Sequence, residues 1–307
     1  MTPNAPAGYA VRRPTPADGA AVAAVMTAAD EGAETVRAAD VAREWRELDV
    51  HNDVWLIENE AEDEVVAYAE LLKRSDDHVA SEGFVVPAHT GRGLGAALLA
   101  HIEQRARELA PGGRLTNGII ATNKAAVALL EQRGYHPVRH FFRMAIELNE
   151  PPPEPQWPDG LEPQPFDREH AKAFQAATEN AFAEEWGHEA EPFDHWRRRR
   201  LDDPAATTDL WLTVWDGADI AATLICDARR YEMGWIASVG VRKPWRRKGL
   251  GLGLIHHAFN EFWRRGERKV GLGVDAENPT GATHLYERAG MHVAFEAVVY
   301  EKRLPGL

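Results

Sequence analysis

The segment VRKPWRRKGLGLGLI (residues 241–255) places a strand, a basic glycine-rich turn and a helix in direct succession. Gly249 and Gly251 have no side chains at points where a ligand would approach the backbone. The helix that follows presents unpaired N–H groups at its positive end, and three cationic residues at 246–248 add charge beside them. The segment therefore predicts a binding site for a diphosphate group.

A second copy of this arrangement occurs earlier in the chain. TGRGLGAALL at residues 90–99 corresponds to RRKGLGLGLI at residues 246–255, with an offset of 156. Downstream, Asn123 in ATNKAAVALLEQRGY corresponds to Asn278 in DAENPTGATHLYERAGM, with an offset of 155. Two different blocks that keep nearly one offset predict a tandem duplication of a unit about 150 residues long.

Clustered prolines separate the two copies, in NEPPPEPQWPDG at residues 149–160. Because proline disfavours helix, this stretch predicts an extended linker. We therefore expect an N-terminal domain at residues 1–149, a linker at 150–159 and a C-terminal domain at 160–307. In each copy the order of strand and helix patterns predicts an α/β fold (α+β, with a mixed sheet), made twice.

Two helices of each copy can be placed from the sequence. A short helix is expected to open at Asn123 in the first copy and at Asn278 in the second. The helix after each glycine-rich turn has apolar residues at helical spacing, which predicts one buried stripe. The stripes comprise Leu94, Leu98, Leu99, Ile102 and Ala106 in the first copy and Leu250, Leu254, Ile255, Ala258 and Phe262 in the second.

Composition excludes several classes of function. The 307 residues include 35 basic and 48 acidic side chains, a net charge of −13, whereas nucleic-acid-binding proteins usually have a basic excess. No apolar run approaches the roughly 20 residues of a membrane span, and the N-terminus lacks the pattern of a signal peptide. Cys226 is the single cysteine, and the adjacent His256 and His257 lack the spacing of a metal pair. We expect a cytoplasmic protein without a metal, nucleic acid or membrane partner, as a monomer or homodimer.

A dinucleotide-binding turn is an alternative for the first copy, because GRGLGA at residues 91–96 fits G-x-G-x-x-A. That turn should follow the first strand of a βαβ unit. Here at least three predicted strands precede the turn, so the context argues against a dinucleotide site.

The second turn resembles motif A of the GNAT superfamily of N-acetyltransferases, R/Q-x-x-G-x-G/A, which RRKGLG at residues 246–251 fits in full. A second stretch of that family, N-x-x-(x)-A-x-x-L-Y-x-x-x-G-F, is met from Asn278 through Tyr286, with Met291 in place of the Phe. The two copies together resemble tandem acetyltransferases of the mycothiol synthase type from actinobacteria, in which the C-terminal half is catalytic.

The resemblance implies an acetyl-CoA-dependent N-acetyltransferase acting on an amine of a small molecule or peptide. Strand backbone groups would pair with the pantetheine arm of acetyl-CoA, the turn would hold its pyrophosphate, and an asparagine would lie beside it. In the C-terminal copy the implied cofactor-binding residues are Val239, Gly240, Val241, Arg246, Arg247, Lys248, Gly249, Leu250, Gly251, Leu252 and Asn278. In the N-terminal copy they are Phe84, Val85, Thr90, Gly91, Arg92, Gly93, Leu94, Gly95, Ala96 and Asn123.

The first copy departs from the family pattern. Thr90 replaces the Arg or Gln of motif A, and Leu130 takes the position of Tyr286. Coenzyme could still bind there, but catalysis is expected in the C-terminal copy. Tyr286 is the expected proton donor to the leaving thiolate, because a phenol with a pKa of about 10 is protonated at neutral pH.

The base that takes the proton of the amine is left open. We take Glu184 as the first candidate, and the acidic clustering around it favours a cationic amine. The other candidates are Glu185, His188, Asp194 and Asp227 in the second copy and Glu31, Glu34 and Glu82 in the first. The alternative function is a non-catalytic acyl-CoA-binding or sensing protein, against which Tyr286 argues.

Overall fold

A computed structural model describes residues 5–30, 35–278 and 280–306 of the chain. These residues form two compact units. Unit 1 contains the described residues up to Phe141 together with those from Phe295 onward, and unit 2 contains Phe142–Ala294. The sequence predicts residues 142–149 in the first domain and the last strand in the second. The structure instead places residues 142–149 in unit 2 and the chain from Phe295 onward in unit 1.

The strands of unit 1 are β1 (Tyr9–Arg12), β2 (Val54–Asn59), β3 (Glu64–Lys73), β4 (His78–Val85), β5 (Arg114–Ile120), the first part of β6 (His136–Glu147) and most of β12 (His292–Arg303). They include a mixed sheet with the strand order β1-β2-β3-β4-β5-β12. The β4–β5 pair is parallel, and the pairs β1–β2, β2–β3, β3–β4 and β5–β12 are antiparallel. The helices are α1 (Gly19–Ala29), α2 (Ala38–Glu44), α3 (Val50–Asp53), α4 (Leu94–Leu109) and α5 (Lys124–Gln132).

Unit 2 repeats this plan with the rest of β6 and with β7 (Glu162–Pro165), β8 (Leu212–Asp216), β9 (Asp219–Arg230), β10 (Met233–Val241) and β11 (Lys269–Asp275). Its strand order is β6-β11-β10-β9-β8-β7. The β10–β11 pair is parallel, and β10–β9, β9–β8 and β8–β7 are antiparallel. Its helices are α6 (Ala171–Phe182), α7 (Phe193–Trp196) with a π-helical turn (Arg197–Leu201), α8 (Leu250–Arg264) and α9 (Ala282–Arg288).

The predicted apolar stripes of α4 and α8 are confirmed. All ten residues are buried, and each set belongs to the core of its own unit. The expected opening of α5 at Asn123 is also confirmed, because its Oδ1 accepts a hydrogen bond from the amide of Ala126 at 3.1 Å. The expected opening at Asn278 is wrong: α9 begins at Ala282, after Gly281 in the left-handed conformation (φ 74°).

The end of the chain completes the sheet of unit 1. Residues 297–303 of β12 pair antiparallel with residues 114–120 of β5 along seven consecutive positions. Val298, Tyr300 and Leu304 are buried in the core of this unit. At the offset of 156, Met144 and Leu148 of the first copy correspond to Tyr300 and Leu304 of the second. Met144 and Leu148 are buried in the core of unit 2. The final strands of the two copies are therefore exchanged between the units.

The proline-rich linker has no helix or strand over residues 151–158 and lies against α8 of unit 2. The Nδ2 of Asn260 donates a hydrogen bond to the Pro153 carbonyl at 2.8 Å. The carbonyl of Gln156 would lie 2.7 Å from a Cβ added at Gly253, so the glycine permits this close approach. Among the described helices of both units, none combines the length and the hydropathy of a membrane-crossing segment.

Candidate active site

The sheet of unit 2 opens between β10 and β11. Within the described chain, these parallel strands pair over residues 234–235 and 270–271. Beyond that point β10 continues to Val241 while its other edge stays paired with β9. Residues 239–241 therefore keep backbone N–H and C=O groups on the side of β11, and an extended ligand can bind to them.

A β-bulge interrupts β10 just before this opening. Ile236 pairs with Cys226 and Ser238 with Ile225, so the register shifts by one residue between them. Bulges redirect backbone groups and are common beside active sites. The Ser238 Oγ is buried without a hydrogen-bond partner among the described residues. The hydroxyl of Ser238 thus lies at the bulge, directly before the open stretch at residues 239–241.

The glycine-rich turn of unit 2 has a backbone suited to an anion. Arg247 and Gly249 have left-handed φ angles of 63° and 92°, and Gly249 is the N-cap of α8. The first hydrogen bond of α8 runs from the Gly253 amide to the Gly249 carbonyl at 3.1 Å, so the amides of residues 250–252 precede the helical ladder. In the described chain, a Cβ added at Gly249 would meet no atom within 4 Å. The turn therefore has both the donors and the room that a diphosphate needs.

Gly251 serves packing, which differs from the role that the sequence suggests. A Cβ at this position would lie 2.7 Å from the Cδ2 of Leu285 on α9. In unit 1 a Cβ added at the corresponding Gly95 would lie 3.2 Å from the Cδ2 of Leu129. The second glycine of each turn thus lets the two helices approach each other, and the first glycine keeps the approach to the backbone open.

Arg246 directs its guanidinium to the protein itself. Its Nε donates to the Val241 carbonyl at 3.1 Å and its Nη2 to the Ala181 carbonyl at 2.9 Å. Its Nη1 donates to Glu184 Oε2 at 2.9 Å. The predicted contact of Arg246 with phosphate stays untested, but in this conformation all three nitrogens have protein acceptors.

The surroundings of Glu184 stabilise its charged form. Its exposed carboxylate also accepts a hydrogen bond from Lys243 Nζ at 2.7 Å. The hydrogen bonds from Lys243 and Arg246 lower the pKa of Glu184 below its ordinary value. A carboxylate with a lowered pKa is a weak acceptor for the proton of an amine.

The neighbouring Glu185 has a different environment. It is half-buried, and its Oε1 accepts a hydrogen bond from Asn278 Nδ2 at 3.0 Å. Burial raises the pKa of Glu185, and the negative charge of Asp275 raises it further. The structure thus brings the predicted Asn278 together with a carboxyl group whose pKa lies closer to neutrality than that of a free glutamate.

Tyr286 lies on α9 with its side chain buried in the core of unit 2. Burial raises the pKa of its phenol, and the charge of Glu185 raises it further. Tyr286 therefore keeps its proton throughout the physiological pH range. Its pKa also responds to the charge of Glu185.

The remaining candidates have other surroundings. His188 Nε2 lies 3.2 Å from Glu179 Oε2, and Asp194 is exposed on α7. Asp227 is buried with Oδ2 3.5 Å from Arg200 Nη1. In unit 1 Glu82 is exposed on β4 and pairs in register with Glu70. Glu31 and Glu34 lie outside the described residues.

Unit 1 repeats the turn and the opening of the sheet. Gly91 and Gly93 have φ angles of 79° and 87°, and β4 pairs with β5 over residues 78–81, leaving Phe84 and Val85 beyond the pairing. The β3–β4 register, by contrast, runs without a shift over its seven described pairs. Arg92 donates from Nη1 to the Tyr9 hydroxyl at 2.8 Å. The buried Leu130 occupies the position that Tyr286 has in unit 2.

The residues present fit an acyl-coenzyme A molecule. An open strand edge next to a glycine turn offers backbone partners to an extended amide-containing arm and to a diphosphate. Within the described ranges, no group of three or more His, Cys, Asp or Glu side chains is placed to hold a metal ion.

Comparisons with known proteins agree with this geometry. The family model described as acetyltransferase (GNAT) family matches residues 21–135 and 171–291. A mycothiol acetyltransferase of Cellulomonas flavigena is 32% identical over 270 residues, covering 82% of this chain and 75% of that protein. The crystal structure of a GCN5-related N-acetyltransferase from Sphaerobacter thermophilus superposes with a TM-score of 0.84 at 35% identity, covering 99% of this chain and 98% of the other. A tandem GNAT protein from the clavulanic acid biosynthesis pathway has a TM-score of 0.73 at 15% identity and covers 96% of this chain and 98% of its own, which indicates a shared fold.

Proposed function

Because the chain belongs to the GNAT family of acetyltransferases and is an acetyl-CoA-dependent N-acetyltransferase, we propose that it acetylates its acceptor amine at one active site, in unit 2. The observation that carries this proposal is the grouping of Glu185, Asn278 and Tyr286 in the unit whose sheet has both the bulge and the opening. We propose a small molecule or a peptide as the acceptor. The cytoplasmic location stays a prediction.

The backbone of unit 2 would bind and orient the cosubstrate. Residues 239–241 offer strand N–H and C=O groups to its pantetheine arm, and the amides of residues 250–252 face its diphosphate. The N–H groups at the bulge of β10 would polarise the thioester carbonyl, because donors fixed in advance stabilise the oxyanion that develops there.

Glu185 is the base in this proposal, in place of Glu184. Its raised pKa makes it a better proton acceptor near neutral pH, and Asn278 holds one of its oxygens in place. Together with Asp275 it gives this region negative charge, which favours an acceptor that arrives as a protonated amine.

Tyr286 is the proton donor, and its acidity depends on Glu185. While Glu185 is charged, it raises the pKa of the phenol. When Glu185 takes a proton from the amine, that charge disappears and the pKa of Tyr286 falls. The phenol then gives its proton to the departing thiolate, and the second proton of the acetylated nitrogen restores the phenol. Glu185 stays protonated until solvent removes the first proton.

The acceptor can be sought with a panel of amines, using release of free thiol from acetyl-CoA as the signal. The panel includes amino acids, peptide N-termini, polyamines and amino sugars, and mycothiol-related amines join it because curated relatives are mycothiol acetyltransferases. No turnover with any amine, despite tight binding of acetyl-CoA, would favour a non-catalytic binding protein instead.

The adjacent glutamates provide a matched test of the base. We expect Glu185→Gln to lower kcat/KM by roughly 10²–10⁴-fold and to remove the acidic limb of its pH profile. Glu184→Gln should keep that limb. Burial disfavours the charged form of Glu185, so Glu185→Gln should leave the unfolding midpoint at pH 8 unchanged or raised, which separates lost chemistry from lost folding. An acidic limb that persists in Glu185→Gln and disappears in Glu184→Gln would reverse the assignment.

A further inference from the structure

We infer that Arg246 is a positioning residue that couples the coenzyme-binding turn of unit 2 to the loop carrying Glu185, and that it is not a ligand of the diphosphate. The inference rests on the proposed function, because it gives Glu185 a role in catalysis. The contacts concerned form what we call the α6 clasp: Arg242, Lys243 and Arg246 on one side, and Asn180, Ala181 and Glu184 on the other.

Arg246 makes the central contacts of the α6 clasp. One guanidinium group holds the end of β10 through the Val241 carbonyl and the end of α6 through the Ala181 carbonyl. Its third nitrogen binds Glu184, the residue just before the proposed base. Because a guanidinium is planar and rigid, three simultaneous acceptors fix the distance between the strand and the helix.

Two further cations strengthen this connection. The Nε of Arg242 donates to Asn180 Oδ1 at 3.1 Å, and Lys243 binds Glu184. The backbones also approach closely, since a Cβ added at Gly240 would lie 3.2 Å from the Cβ of Ala181. The end of α6 is thus held directly against the open stretch of β10.

The loop after α6 takes its starting position from these contacts. The amide of Glu185 donates to the Phe182 carbonyl at 2.9 Å, so the proposed base follows the end of the helix. The far end of the loop is held separately, by Gln175 Nε2 donating to the Glu191 carbonyl at 2.8 Å and by Arg199 binding the Glu191 carboxylate. A change at the turn is therefore transmitted to Glu185 through the near end of the loop.

Unit 1 lacks the cationic side chains of the α6 clasp. At the offset of 156, Val86, Pro87 and Thr90 replace Arg242, Lys243 and Arg246. None of these can donate several charge-assisted hydrogen bonds. The three cations occur together in the unit that has Tyr286, which is expected if they serve catalysis and not coenzyme binding as such.

The charges around Glu185 provide a readout that a purely structural role would not affect. Asn278 donates to its carboxylate, Asp275 raises its pKa, and His188 and Arg246 lower it, with Tyr286 nearby on α9. Removing the charge of Arg246 should therefore raise the pKa of Glu185. The acidic limb of the kcat/KM profile should move to higher pH in Arg246→Ala.

Hydrogen exchange with CoA as the probe tests the coupling without an acceptor. In the unmodified protein we expect CoA to slow amide exchange both in residues 247–253 and in residues 181–188. In Arg246→Ala, saturating CoA should still protect the turn but no longer the loop. Glu184→Gln, which leaves the carbonyl contacts intact, should lose part of the loop protection. Arg264→Ala is the matched control. It removes an exposed arginine of α8 and its ion pair with Glu261, which is also on α8 and outside the α6 clasp.

Affinity and kinetics separate this inference from its rivals. We expect Arg246→Ala to change the Kd for CoA by less than about 3-fold and to lower kcat at saturating acceptor by about 10-fold or more, because misplacement of a catalytic group impairs reaction geometry. A rise of about 10-fold or more in the Kd for CoA would instead identify Arg246 as a diphosphate ligand and overturn the inference. The inference would also be overturned if CoA did not slow amide exchange in the loop of the unmodified protein, or if CoA still slowed it in Arg246→Ala. Neither result would affect the proposed function, which fails if Glu185→Gln keeps full activity.

Discussion

The two units share the features for holding a coenzyme and differ in the features that serve chemistry. Both glycine turns have left-handed residues at the same two positions, Gly91 and Gly93 in unit 1 and Arg247 and Gly249 in unit 2. Both sheets open after a few parallel pairs. The duplication has thus kept the backbone geometry of an anion site in both places, even though the cationic side chains differ.

In the described residues, three differences between the units bear on the chemistry. Unit 2 has a bulge in β10, a phenol at Tyr286 and the α6 clasp, whereas unit 1 has a regular β3–β4 register, Leu130, and uncharged residues at the positions of the three clasp cations. Backbone-based binding tolerates many substitutions because it needs few particular side chains. Proton transfer needs specific groups at specific places, so its loss is visible in individual residues.

The largest effect is expected from removing the last strand, which tests how the units divide the chain. Deleting residues 295–307 takes seven paired positions from β5 and removes the buried Val298, Tyr300 and Leu304 from unit 1. Three buried apolar side chains alone account for about 5 kcal/mol or more, close to the whole stability of a typical domain. We expect the amides of β5 to lose their protection from hydrogen exchange.

A shorter deletion is the control for this experiment. A chain that ends after Leu304 keeps the strand and the three buried side chains, so β5 should stay protected. If β5 were equally protected in the chain that ends at Ala294, the last strand would not be an essential part of unit 1.

The next largest effect concerns Tyr286, the sharpest chemical difference between the units. Tyr286→Phe keeps the ring and removes the proton, so turnover should fall by roughly 10²–10⁴-fold while the affinity for acetyl-CoA changes little. Tyr135→Phe in unit 1 is the matched control, because Tyr135 is also a buried tyrosine with a raised pKa. Turnover within a few-fold of the unmodified rate in Tyr286→Phe, at saturating acceptor, would leave Tyr286 as a packing residue.

Sequence patterns predict several local parts of this molecule, although not the start of α9. The stripes of α4 and α8, the helix cap at Asn123 and the glycine turns depend on neighbouring residues, and the sequence shows them. The exchange of the last strands is not visible, because FFRMAIEL and AFEAVVYEKRL carry the same kind of pattern and either could complete either sheet. The bulge at residues 236–238 is set by pairing with β9, which a single strand does not reveal.

The choice of the candidate base also depends on long-range contacts that the sequence does not show. Glu184 and Glu185 are adjacent in a loop without periodicity, so nothing local distinguishes them. The distinction comes from Asn278, which lies 93 positions later and binds Glu185, and from Arg246, which binds Glu184. A long-range contact decides which carboxylate is half-buried, and only the folded structure supplies that contact.

The smallest effect is expected at the second glycine of each turn, where the units differ by half an ångström. A Cβ at Gly251 would lie 2.7 Å from Leu285 Cδ2, whereas one at Gly95 would lie 3.2 Å from Leu129 Cδ2. Alanine gains up to about 1 kcal/mol over glycine inside a helix, while overpacking costs about 1–3 kcal/mol. Gly95→Ala should therefore change the free energy of unfolding by less than about 0.5 kcal/mol, and Gly251→Ala should lower it by about 1 kcal/mol. Since Leu285 precedes Tyr286, Gly251→Ala should also reduce turnover a few-fold. Urea unfolding of the two variants measures the difference, and equal midpoints would mean that α8 and α9 adjust as easily as α4 and α5.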